Sequence, residues 1–370
     1  MRKIQLSGDK KMKVAVLGSG NGGCAVSADW SLAGYDVFMF DFEAFPSNIE
    51  AIAKSKGVYV EGDICGFANI KYAGHDIEKV VNRAELIFVV GPAYSTRAFG
   101  EICKPYLETG QIVIICPGSC CGSIVFKNTV GLGIEDDSII ISETSTLPYA
   151  CRITGPGKVK VFLKLRGGLY IAAQPSKCTN KVYEIFKMVY PESLPAKNIL
   201  QTTLQNGNPV IHPAVTLLNA GAIERTNGGF YFYEDGVTPA VARLIEAVDK
   251  ERVAIGNKLG FDIIPDPELG VMQGYMQKAN YENGYRTASG FKGIKAQNQL
   301  DHRYLNEDVG YGLVFLSELG KQIEVNTPIM DSVISIASIV TKRNYKEEKA
   351  RTMQSLGLGQ YSMEELNQIL

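Results

Sequence analysis

The sequence predicts two architectures in one chain: an α/β half built on a doubly wound, mostly parallel sheet, and an all-α half after it. Three observations predict this. The run Val14-Ala15-Val16-Leu17-Gly18-Ser19-Gly20-Asn21-Gly22-Gly23 joins an apolar strand to glycines spaced G-x-G-x-x-G. Strand-like and helix-like segments then alternate almost as far as residue 190. Beyond Pro191 the strand signals fade and a helical period takes over. The expected division is 1–195 for the sheet and 196–370 for the helices.

The first unit reads as a dinucleotide-binding domain of the Rossmann type. Residues 13–17 form a strand and 24–32 a helix, with the glycine turn between them. Gly18 permits the tight turn, Gly20 lets a pyrophosphate approach the backbone, and Gly23 lets the helix pack close to the sheet. The amides that open that helix face the phosphates, and Asn21 and Gly22 in the turn are candidate cofactor contacts. A second strand, 36–40, ends at Asp41, whose carboxylate suits ribose hydroxyls and would repel a 2′-phosphate. Phe42-Glu43-Ala44-Phe45 offers no arginine for such a phosphate, so NAD(H) is expected in preference to NADP(H).

The next elements follow in order. A helix is expected over 46–56, an extended stretch over 64–72 and a short helix over 76–81. The continuous apolar run 86–90 suits a parallel strand covered on both faces. Helix 96–106, strand 111–116, helix 123–130 and strand 138–142 continue the alternation. Residues 159–165 and 169–173 read as a hairpin around Arg166-Gly167-Gly168, and 176–189 as a helix. Pro92, in the turn after strand 86–90, and Gly118, after strand 111–116, lie at strand ends where such sheets bind ligands. Both are therefore candidate cofactor contacts.

In the second half the clearest helix starts at Thr238-Pro239, a cap and a first-turn proline. Val241, Leu244, Ile245, Val248, Ile255 and Leu259 give it one apolar stripe, and Gly260 ends it. Residues 328–340 are apolar on more than one face and should lie buried. Ser362 to Glu365 is a capping box. The stretch 281–308 is polar, aromatic and without a clean period, as functional segments often are.

Bulk properties exclude several classes. A formal charge of −1 gives no field for nucleic acid or an anionic membrane. No apolar run reaches a membrane span, and the first ten residues lack a signal-peptide core. The eight cysteines contain no C-x-x-C pair, so neither a metal site nor a disulfide framework is expected. The expected location is cytoplasmic, and oligomeric state is left open, a homodimer included.

There are three histidines. His212 precedes Pro213, a residue suited to a first helical turn, so His212 is placed at a helix N-terminus. The dipole there disfavours an imidazolium and a nearby carboxylate would favour it. His75 reads as surface and His302 as a neighbour of the pocket. Arg303 and Asp308 bring a guanidinium and a carboxylate into one segment. From the residues alone, His212 is equally a capped structural residue, and Arg303 with Asp308 a surface pair.

Several motifs in order resemble the octopine/nopaline (opine) dehydrogenase family along nearly the whole chain. They are Gly18 to Gly23, Glu143-Thr144-Ser145-Thr146-Leu147-Pro148-Tyr149-Ala150-Cys151-Arg152, Asn208 to Pro213, and Arg303 to Gly312. The resemblance implies a Rossmann domain followed by an all-helical domain with substrates in the cleft between them. It implies nicotinamide-dependent condensation of an amino acid with a 2-oxo acid such as pyruvate. Carried over, His212 is the catalytic histidine, Asp308 the carboxylate that orients it, Arg303 the holder of the 2-oxo acid, and Glu143 a contact of the amino acid. The chain departs from the family at Val90-Gly91-Pro92-Ala93, where no histidine follows and Arg97 brings a charge towards the pocket mouth. Two other readings stay open. One is a reductase of a simple 2-oxo or hydroxy acid, for which Lys250, Lys258 or Lys278 would serve. The other is a non-catalytic dinucleotide sensor.

Overall fold

The computed structural model describes residues 11–348 and 350–370. Its strands are β1 (Lys13–Leu17), β2 (Asp36–Phe40), β3 (Gly57–Gly62), β4 (Gly66–Asn69), β5 (Tyr72–Gly74), β6 (Leu86–Val89), β7 (Ile112–Ile115), β8 (Ile140–Thr144), β9 (Tyr149–Gly155), β10 (Lys158–Lys164), β11 (Leu169–Gln174) and β12 (Ser193–Pro195). The main sheet runs β12-β11-β8-β7-β6-β1-β2-β5. All its pairs are parallel except β8 with β11. β6 and β7 have no exposed residue, which explains their unbroken apolar runs: apolar clusters cover both faces of the sheet. The chain passes from β1 to β2 on one side and returns to β6 on the other. That reversal puts the binding crevice at the carboxyl ends of β1 and β6.

A second sheet, β4-β3-β10-β9, packs against the helix Asn21–Leu32. It overturns the expected hairpin of 159–165 with 169–173. β10 pairs with β9 and β3, whereas β11 pairs with β8 and β12 in the main sheet. The burial patterns give the reason. β10 alternates, as a strand with one covered face must, while every residue of β11 is buried. Gly168, at φ +60°, helps turn the chain from one sheet to the other. The expected extended stretch 64–72 is also divided, between β4 and β5, and β3 forms from a segment given no element in the sequence reading.

The helical half begins with the helices Ile199–Leu204 and Asn208–Leu218 and centres on the long helix Pro239–Lys258. Thr238 caps the last of these at Val241 N. Its stripe residues Val241, Ile245, Val248 and Ile255 are buried in one core with Leu204, Phe315 and Leu319. The helix Pro328–Thr341 departs from expectation. Met330, Val333, Ile334 and Ala337 are buried, but Ile336, Ile339 and Val340 are exposed. The helix lies on the rim of the core, so only one of its apolar faces is covered. The last segment returns to the sheet half, where Gln174 Nε2 donates to the Ile369 carbonyl at 2.7 Å. Among the described residues no helix is long and apolar enough to cross a membrane.

Candidate active site

A cavity of about 850 Å³ runs from the glycine turn into the helical half. At its first end the backbone does the shaping. Gly18 has φ +106°, and a Cβ there would stand 2.2 Å from the Val90 carbonyl oxygen. A Cβ on Gly23 would stand 1.9 Å from the Gly18 carbonyl oxygen. Gly23 therefore fixes the helix against the turn and does not itself line the cavity. A Cβ on Gly20 would meet no protein atom within 4 Å, since Gly20 borders the open space where a pyrophosphate would lie. The Asn21 side chain faces this end too, and its Oδ1 accepts from Ile153 N at 2.8 Å, tying the turn to β9.

Asp41 lines the same end. Its Oδ2 accepts from Ser19 N and Ser19 Oγ, both at 2.6 Å, and Oδ1 accepts from Phe42 N at 2.8 Å. Phe42, Ala44 and Phe45 line the wall beside it. A glycine turn at a helix N-terminus, a carboxylate one strand away and an apolar slot together fit a dinucleotide. Gly18, Gly20, Asn21, Gly22, Asp41 and Pro92 border the space it would fill.

At the other end side chains dominate. His212 Nδ1 lies 2.8 Å from Asp308 Oδ2, and both residues are buried. The carboxylate accepts, so it holds the proton on Nδ1. Nε2 then accepts from the Tyr233 hydroxyl at 3.1 Å. Burial raises the Tyr233 phenol well above its ordinary value, so it stays a donor. The imidazole stacks on Tyr304, with ring centres 3.9 Å apart.

The position of His212 differs from expectation. Its helix starts at Asn208 with Pro209 in the first turn, and Pro213 lies inside it. His212 is therefore more than a turn from the N-terminus. Pro213 follows it inside the helix, where it forgoes the amide that would pair with the Pro209 carbonyl.

Asp308 opens a single π-helical turn, Asp308–Leu313, in which Gly312 N donates to the Glu307 carbonyl at 3.1 Å. Such turns insert one residue into a helix and re-aim side chains. A Cβ on Gly312 would stand 2.8 Å from Pro209 Cγ. Glycine there lets the π-turn pack directly on the His212 helix, bringing Asp308 to the imidazole.

Arg303 lies one turn earlier, its guanidinium half-exposed into the cavity and its Nε 3.2 Å from Glu307 Oε2. Glu307 Oε1 accepts from Ala93 N at 2.8 Å. Burial raises the Glu307 carboxyl and the Arg303 charge opposes that rise. Glu307 thus links Arg303 to the loop after β6. Glu307, Tyr233 and Arg152 also line the cavity and were missed as site residues, although Arg152 and Glu307 stand inside quoted motifs.

Glu143 is placed differently from expectation. It lies beneath the floor, not on it. Its Oε2 accepts from Ser123 N at 2.9 Å and Ser123 Oγ at 2.6 Å, and Oε1 accepts from Thr202 Oγ1 at 2.9 Å. It is 1% exposed, and burial raises its carboxyl against those hydrogen bonds. Gly118 packs on it, with a Cβ site 2.5 Å from Glu143 Cδ. Neither lines the cavity; Cys116 and Pro117 do. Arg97 is exposed away from the cavity, and Tyr94 and Ser95 line the mouth instead. His75 is half-buried, with Nδ1 2.7 Å from the Asp41 carbonyl oxygen.

Buried Arg351 steadies the two loops at the middle of the cavity. Nη1 donates to the carbonyls of Gly118, Ser119 and Cys120, and Nη2 to that of Ala93 at 3.3 Å. Ser119, Cys120 and Cys121 are consecutive left-handed residues with φ of 43°, 61° and 59°. Non-glycine residues adopt that conformation at a cost of roughly 1–2 kcal/mol each, which the guanidinium's hydrogen bonds offset. Burial pushes the Cys116 and Cys151 thiols in the wall up to about 12, so neither is a nucleophile at neutral pH. Among the described residues no lysine lines the cavity.

Comparisons with known proteins identify the family and agree with the fold. Residues 195–341 match the family model described as NAD/NADP octopine/nopaline dehydrogenase, alpha-helical domain. The chain is 33% identical to the opine dehydrogenase of Arthrobacter sp. (strain 1C), over 93% of this chain and 94% of that one. It is 28% identical to protein ocs of Agrobacterium tumefaciens (strain Ach5), over 76% and 77% of the two chains. Among solved structures, an octopine dehydrogenase in complex with NADH and agmatine superposes with a TM-score of 0.76 at 18% identity, covering 96% and 97%. An NADP+-bound yersinopine dehydrogenase superposes with a TM-score of 0.70 at 16% identity, covering 97% of each chain. The chain belongs to the octopine/nopaline (opine) dehydrogenase family and is an NAD(P)-dependent dehydrogenase.

Proposed function

We propose that the protein reductively condenses an amino acid with a 2-oxo acid, using NADH in preference to NADPH. The balance is amino acid, 2-oxo acid, NADH and a proton giving a secondary-amine dicarboxylate, NAD+ and water. The observation that carries the reading is the Asp308–His212 pair, which opens into the same cavity as Arg303 and the glycine turn. Residues 1–195 then supply the dinucleotide site and 196–370 the acid–base pair. The preference for NADH rests on Asp41, beside which no arginine or lysine among the described residues lines the cavity.

Each residue has a task. Glu307 occupies the Nε edge of Arg303, leaving the terminal guanidinium nitrogens to hold the 2-oxo acid carboxylate. The substrate amine attacks the carbonyl carbon, and His212 Nε2 accepts the proton that the amine loses. His212 passes that proton to the former carbonyl oxygen, and the proton of the overall balance, delivered through the same imidazole, lets the hydroxyl leave as water, so a protonated imine forms. Asp308 stabilises the imidazolium between these steps. A bound reduced nicotinamide supplies hydride to the imine carbon. Apolar walls keep bulk water from the imine. Among the described residues no lysine lines the cavity for the proton chemistry of the competing oxo-acid reading, and a sensor has no use for an oriented imidazole.

The test is NADH oxidation with pyruvate across a panel of amino acids, with the product identified by mass spectrometry. NADH is consumed only when both partners are present. Equal consumption with pyruvate alone overturns the reading. NADPH is used with a KM at least about tenfold higher, corresponding to about 1.4 kcal/mol.

A further inference from the structure

Resting on that reading, we propose that the cavity beyond His212 is the amino-donor subsite, built for a large uncharged side chain, with Arg152 receiving the donor's carboxylate. The product carries two carboxylates, and the cavity presents two guanidiniums. Arg303 comes from the helical half and Arg152 from β9. Both line the cavity together with His212 and Tyr304, the ring stacked on it, and each pulls the burial-raised Tyr304 phenol back down. It pairs with no carboxylate among the described residues; its Nη1 donates to the Cys151 carbonyl at 2.9 Å. A cavity-facing guanidinium without a protein counter-ion is a ready partner for a substrate carboxylate.

The side-chain slot follows from what lies past the imidazole. Tyr233, whose hydroxyl reaches His212 Nε2, stacks on Phe291 with ring centres 4.2 Å apart, and Tyr275 stacks on Phe291 at 4.8 Å. Leu269, Met276 and Ile294 complete the wall. Such a platform rewards burial of an aromatic, thioether or branched aliphatic group. The carboxylate at this end, Asp266, is already engaged. Its Oδ2 accepts from Tyr285 at 2.5 Å, and it lies beside the buried Arg252–Asp249 pair. A lysine or arginine side chain would lose its hydration for one oxygen of a carboxylate whose charge Arg252 and the Tyr285 hydroxyl already offset.

The experiment compares phenylalanine, methionine and leucine with arginine, lysine and aspartate as donors to pyruvate. It adds 2-phenylethylamine as a donor without a carboxylate, and the Arg152→Met variant. In the wild type the large uncharged donors have the highest kcat/KM. Phenylalanine exceeds 2-phenylethylamine by about 10- to 150-fold, as one charge-assisted contact implies. In Arg152→Met that ratio collapses and the KM for phenylalanine rises by a similar factor. The KM for pyruvate stays near its wild-type value, and NADH fluorescence titration gives an unchanged Kd. A wild type that prefers arginine, lysine or aspartate overturns the side-chain assignment. A variant that raises the KM for pyruvate instead overturns the role of Arg152. Absence of turnover with every donor overturns the parent reading itself, a result distinct from either of these.

Discussion

The two ends of the cavity are built by opposite means. At the dinucleotide end, a few consecutive residues and one strand-end carboxylate make the surface, and the contact atoms are largely backbone. At the chemical end, His212, Tyr233 and the Arg303–Asp308 segment come from three separate parts of the chain, and the contact atoms are side chains. A local turn tolerates no added atom but asks little of the remaining chain. A convergent site tolerates drift in any one loop poorly, so it depends on residues that hold its segments together: Gly312, Glu307, Arg351 and Glu143.

The largest expected effect separates the ends directly. His212→Asn removes the acid–base nitrogen, and kcat should fall by about 10²- to 10⁴-fold. Fluorescence titration of NADH should give an unchanged Kd, because the imidazole lies away from the glycine turn. Loss of NADH affinity along with turnover would mean that the two ends are not independent.

Gly23→Ala is the converse experiment. The new methyl would stand 1.9 Å from the Gly18 carbonyl oxygen. Neither backbone can yield without opening the turn, so a loss of about 1–3 kcal/mol or more is expected. A lowered Tm and weakened NADH binding should appear together. A variant with wild-type Tm and NADH affinity would remove Gly23 from the account of the cradle.

Legibility follows the same division. The glycine turn, Asp41 and the run over β6 could be read directly because each is local and its chemistry is set by neighbours in sequence. The cap at Thr238 was equally plain. The second sheet was not, because β3 and β10 are about a hundred residues apart in the chain and meet only in the folded sheet that packs on the helix Asn21–Leu32. Pro213 misled because a first-turn proline is the common case, and Pro209 already filled that role. Arg303 and Asp308 were ambiguous from composition and gained a role only through family resemblance. Arg152, Tyr233 and Glu307 needed three-dimensional proximity, which no spacing in the chain reports.

Glu143 sharpens the comparison, since its motif suggested substrate contact and the structure puts it under the floor. Glu143→Ala strands the Ser123 amide and hydroxyl, while the Thr202 hydroxyl keeps the Ile199 carbonyl as acceptor. Each buried orphan costs about 1–3 kcal/mol, so Tm should fall markedly. Glu143→Gln keeps an acceptor and should fall less. In the Gln variant the KM for the amino donor should stay close to wild type. A selective rise in that KM at unchanged Tm would restore the substrate role.

The smallest effect concerns His302, which sits between the convergent segment and solvent. Its Nδ1 accepts from Tyr304 N at 3.4 Å, capping the short helix Arg303–Asn306. Burial first, and the adjacent Arg303 charge second, lower its pKa to about 4. The folded chain therefore binds fewer protons at this residue than the unfolded chain between about 6.5 and 4. The neutral form's contribution to stability is complete above about 6.5 and is lost as pH falls through that window. An imidazolium cannot accept from Tyr304 N, so protonation would also release the cap beneath Arg303. Partial exposure screens the effect, and a Tm shift of roughly 1–2 °C is expected. His302→Asn keeps a capping oxygen without the charge, so its Tm should decline less steeply from pH 6.5 to 4 than that of the wild type. Parallel curves for the two proteins would show that the acid sensitivity of the convergent end arises elsewhere.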